Sequence, residues 1–104
     1  VTEHLRLDDE AIGKLAGKSA ALLRQRGAAF PEPDLNFEMT EEWLGETYGA
    51  PTPESEAAIE RARADGLELD PVYTAKAMAA LIAKSAAGDF EGGPVLFINT
   101  NGPR

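Results

Sequence analysis

Gly92-Gly93-Pro94-Val95-Leu96-Phe97-Ile98-Asn99-Thr100 is the stretch on which the fold class turns. Four consecutive apolar residues stand between a glycine–proline turn and a polar exit. A short apolar run bounded by turn signals after a helix predicts a central strand of a parallel sheet, buried on both faces. Upstream of it the order is helix, loop, helix, helix, so the pattern predicts an α/β layer structure. One buried strand cannot make a sheet alone, and the chain offers few neighbours for it. Val1–Leu7 alternates enough to be a strand, and Leu35–Met39 reads as a second short one.

Three helices surround that stretch. Asp8 can cap the first, with Asp9 and Glu10 at its positive end and Gly27 as its stop. Ile12, Leu15, Ala16, Leu22 and Leu23 fall at helical spacing and predict its buried stripe. Thr52 caps the second helix, with Pro53 in the first turn, and the helix runs through Ala58, Ile59 and Ala62 to Gly66. Asp70 caps the third, Pro71 takes its first position, and Ala77, Met78, Leu81 and Ile82 form its apolar stripe up to Gly88. Residues 40–51, with Trp43 and Tyr48, read as an irregular connection.

The bulk composition bounds what such a chain can do. Its 104 residues suffice for a single unit, residues 1–104, and 43% hydrophobic with 27% charged residues suits a globular chain. So small a domain buries a modest share of its surface, and a partner chain or further polypeptide would help to stabilise it. The net charge of −8 repels phosphate backbones and anionic lipid, which argues against nucleic acid and membrane partners. No cysteine is present and His4 is the single histidine, so no metal site is expected. No apolar run approaches the roughly 20 residues of a membrane helix, and no secretory signal is visible, which points to the cytoplasm.

Several residues could carry chemistry. In open α/β sheets ligands bind beyond the carboxyl ends of strands, which draws attention to Thr100, Asn101 and Gly102. An ordinary Asn-Gly-Pro turn accounts for the same residues. Tyr73 and Thr74 fall at the amino end of the third helix, where a phenol and a hydroxyl can meet an anionic or aromatic ligand. Packing of the ring and capping by the hydroxyl explain them equally. Tyr48 lies in a loop, where tyrosines contact ligands or simply pack. Lys76 sits in helical company and reads as structural.

Leu69-Asp70-Pro71-Val72-Tyr73-Thr74-Ala75-Lys76-Ala77-Met78, the strand-like Val95–Thr100, and Tyr48-Gly49-Ala50-Pro51 together resemble the C-terminal region of the D-cysteine desulfhydrases and 1-aminocyclopropane-1-carboxylate deaminases. These are pyridoxal-phosphate enzymes of the tryptophan-synthase-β-like fold. The resemblance is close from about Tyr48 to Thr100. It implies that the chain is the C-terminal portion of a polypeptide about three times longer, built on a layered α/β sheet. It implies catalytic, pocket-lining roles for Tyr48 and Tyr73, and cofactor contacts for Thr74, Thr100, Asn101 and Gly102. Thr74 stands where the deaminases carry glutamate and the desulfhydrases threonine. Thr100 matches the threonine near the cofactor's ring nitrogen, where a neutral hydroxyl moderates the electron sink. The implied activity is β-elimination from a small amino acid such as D-cysteine, releasing pyruvate and ammonia.

Departures from the pattern are specific. Ala75 replaces a glycine, Asn99 a histidine, and Asn101 one of two glycines. None of Lys14, Lys18, Lys76 or Lys84 sits in the family's Schiff-base motif, and no phosphate-binding glycine loop is present. The resemblance therefore implies that the rest of the enzyme, or a partner subunit, completes the site, and that this chain alone is inactive. An unpaired sheet edge would also favour association with a second copy. A non-catalytic interaction module derived from the family is the alternative, and an unrelated acidic binding protein the third.

Overall fold

The computed structural model describes residues 8–31, 36–47 and 49–101. Three helices are present: α1 (Asp9–Gln25), α2 (Pro53–Ala64) and α3 (Thr74–Ala86). The chain divides into two compact units, residues 2–40 and residues 41–104.

The first unit contains α1. Asp8 is extended and its carboxylate accepts the Ala11 amide at 2.8 Å, so the expected cap forms. At the other end the Ala28 amide reaches the Leu23 carbonyl and the Gly27 amide reaches Arg24, a glycine-ended closure. The Arg24 guanidinium lies over the Phe30 ring, 5.5 Å from its centre. The predicted apolar stripe is not buried: Leu15, Leu22 and Leu23 are exposed, and Ala20 is the buried residue of α1.

In the second unit α2 packs against α3. The core is small: Ala62, Leu69 and Ala75, flanked by Ile59, Leu67, Met78 and Phe97. Alanines at the contact let the helices approach closely while burying little apolar area. The buried face of α3 is Thr74, Ala75, Lys76 and Ala79, whereas Ala77, placed in its stripe by the spacing, is exposed.

The α/β expectation is corrected. The described residues form three helices and no strand, so this is an all-helical arrangement without a sheet. Residues 95–98 pair with nothing among the described residues. Phe97 turns inward onto the helical core, while Leu96 is 84% exposed and Ile98 lies outward too. The apolar run carries a strand's side-chain pattern, but a strand exists only through cross-strand hydrogen bonds that its own residues cannot supply. Residues 36–39 are likewise irregular. The strand expected at Val1–Leu7 lies outside the described residues, as does Leu35.

Candidate functional site

The most ordered polar arrangement of the chain is at the start of α3. Asp70 is 4% exposed, and its carboxylate accepts four hydrogen bonds. Oδ1 takes the Val72 amide at 2.9 Å and the Tyr73 amide at 2.7 Å. Oδ2 takes the Thr74 amide at 3.0 Å and the Thr74 hydroxyl at 2.7 Å. The Thr74 oxygen in turn accepts the Asp70 amide at 2.9 Å, which closes a reciprocal ring. Burial pushes the Asp70 carboxyl up, but the Thr74 hydroxyl and the three amides outweigh it and hold the group down at about 2.

This ring shifts the helix start. The sequence places Pro71 in the first helical position, yet regular helix begins at Thr74 and residues 71–73 form a turn. The Ala75 amide bonds the Asp70 carbonyl five residues back, a wider loop than α-helix allows. Asp70 therefore collects the amides that a regular first turn leaves open. The outcome for the two adjacent candidates is opposite. Tyr73 is 45% exposed at the amino end of α3, whereas Thr74 is buried and its hydroxyl belongs to the ring.

Thr100 is exposed and Asn101 half-buried. Their neighbour Asn99 donates its side-chain amide to the Glu68 carbonyl at 3.4 Å, tying the segment near the α2–α3 connection. Tyr48 and Gly102 lie outside the described residues.

A second feature was not anticipated from sequence. Glu42, Trp43, Gly45 and Glu46, with residues 50–54, line an open cleft of about 430 Å³ at the start of α2, with Glu42, Glu46 and Glu54 among its walls. Thr52 caps α2 by taking the Ser55 amide at 3.0 Å, and Ser55 returns the contact to the Thr52 amide at 2.9 Å. Glu54 is one of two acidic residues in the helix's first turn, where the dipole favours negative charge. The signal for Ser55 was available in the sequence: a polar residue three positions after a threonine cap, ahead of an alanine run.

Lys76, read from its helical company as structural, lies on the buried face of α3. It is 6% exposed, and its ammonium donates to the Leu44 carbonyl. Among the described residues no group of three histidine, cysteine, aspartate or glutamate side chains could hold a metal ion.

These facts bear on a pyridoxal-phosphate group. Thr74's hydroxyl is engaged, the Lys76 amine is turned to a backbone carbonyl, and the cleft is walled by carboxylates that repel a phosphate. The described residues of this chain do not by themselves fit the cofactor. No family model and no solved structure matches the chain. Among the described residues no helix is long and apolar enough to cross a membrane.

Proposed function

We propose that this chain serves as one part of a pyridoxal-phosphate-dependent lyase that acts in the cytoplasm on a small amino acid such as D-cysteine, by β-elimination of hydrogen sulfide and hydrolysis to pyruvate and ammonia. The observation that carries the reading is the segment Leu69–Met78, which resembles the desulfhydrases and holds Tyr73 exposed at the amino end of α3. The Asp70 ring fixes the turn beneath that phenol, and a rigid support is what a substrate-facing side chain requires. Tyr48 joins it by resemblance, and the same resemblance assigns ring-side roles to Thr100, Asn101 and Gly102. Thr74 acts in this reading through its bond to Asp70. The amine for the Schiff base and the phosphate cradle come from outside this chain, from the rest of the enzyme or a partner subunit.

A spectroscopic experiment tests the reading. The full product of the gene, mixed with pyridoxal phosphate, develops imine absorbance, and the 104-residue chain does not. Imine absorbance from the short chain contradicts the missing-lysine argument, and its absence from the full product contradicts the lyase.

One observation favours the alternative of a non-catalytic interaction module. The Thr74 hydroxyl is spent on the fold, while Val95, Leu96 and Ile98 present apolar side chains to solvent. A full gene product that binds a protein partner and leaves pyridoxal phosphate free would favour this reading.

A further inference from the structure

Lys76 is a buried charge for which the proposed lyase has no use. An ammonium held at 6% exposure costs more to bury than an apolar side chain of similar length, because it leaves its hydration behind. Its recorded acceptor is not a carboxylate but the carbonyl of Leu44, 32 residues away in sequence. That carbonyl immediately precedes Gly45, whose φ of +82° places it in the left-handed region. A β-carbon built on Gly45 would lie 2.8 Å from Thr52 Cγ2 and 3.6 Å from Lys76 Nζ. The backbone at this point is thus seated between the cap of α2 and the amine of α3. Residues 43 and 45–46 on one side, and 50–54 on the other, are the walls of the cleft.

We propose that Lys76 is a positioning residue, a latch whose ammonium seats residues 43–47 against the start of α2 and so gives the cleft its shape. Two backbone bonds in and beside that stretch are local: the Leu44 amide reaches back to the Glu41 carbonyl, and the Ala50 amide to Thr47. Such short turns fix local shape without fixing position relative to a helix. The Lys76 bond does what they cannot, joining the stretch to α3 at one atom. Glycine at position 45 then serves a second purpose, since any side chain there would lift the backbone off Thr52. The inference does not depend on the lyase reading.

Trp43 is the single tryptophan of the chain and is half-buried at the cleft wall, so its fluorescence reports the latch directly. The variants are Lys76→Met, which keeps length without a donor, and Lys76→Gln, which keeps a donor too short to reach. Both are expected to retain the helical circular dichroism of the parent while acrylamide quenching of Trp43 rises roughly twofold or more, as a half-buried ring becomes solvated. Gly45→Ala is expected to do the same with Lys76 intact. Parental quenching in folded Lys76 variants overturns the latch. So does loss of helix in both of them, which would make the lysine a core residue instead. Parental quenching in Gly45→Ala overturns the seating on Thr52.

Discussion

Asp70 does three jobs with one carboxylate: it gathers the amides of the turn that leads into α3, it bonds the Thr74 hydroxyl, and it holds the Tyr73 backbone amide. Its depressed ionisation couples this arrangement to acidity. The ordinary value of 3.8 falls to about 2 in the folded chain, so the folded state holds its proton less tightly than the unfolded one. The stabilisation is therefore complete above pH 4 and is lost as pH falls from about 4 to about 2, amounting to roughly 2 kcal/mol. Asp70→Asn should flatten that acid limb of the stability curve, measured by urea unfolding of the helical signal at several pH values. An unchanged slope between pH 4 and pH 2 in the variant would remove Asp70 from the account. Asp-Pro marked the neighbourhood of the helix start but not its position, since Asp70 closes a turn over residues 71–73 and α3 begins only at Thr74. For Thr74 the sequence offered a hydroxyl that satisfies a backbone group, and the Asp70 amide is that group, whereas the bond to the Asp70 carboxylate was not foreseen.

At the scale of elements, the helix boundaries were the most readable part of the chain. Asp8, Thr52 with Pro53, and the glycines at 27, 66 and 88 all mark ends through local backbone chemistry. Thr52→Ala should cost about 1 kcal/mol, read from the unfolding midpoint, because it leaves the Ser55 amide without its acceptor. The supposed strand failed for the opposite reason: pairing is not local, so residues 95–98 can form an apolar run without belonging to a sheet. The structure makes a contrast there that a strand buried on both faces would not. Phe97→Ala should destabilise the helical pair by roughly 1–3 kcal/mol, and Leu96→Ala should stay within about 0.5 kcal/mol. Equal losses at both positions in thermal melts would revive burial of the whole run. The stripe of α1 teaches the same lesson, since helical spacing marked Leu15, Leu22 and Leu23 as one face but could not say whether anything covers it.

At the scale of the molecule, a core built on Ala62, Leu69 and Ala75 is modest for the unit of residues 41–104 that it serves. The apolar side chains left outside, on α1 and at residues 95–98, fit a chain that works together with more protein, which is also what the lyase reading requires. That reading drew on sequence resemblance at Tyr48, Tyr73 and Thr100, and the geometry adds the support under Tyr73. The most direct measurement is pyruvate release from D-cysteine by the full gene product with pyridoxal phosphate, compared with its Tyr73→Phe variant. Turnover in the parent and a loss of roughly tenfold or more in the variant are predicted for a phenol that meets the reacting molecule. An inactive parent, or a variant that turns over at the parental rate, would contradict the account.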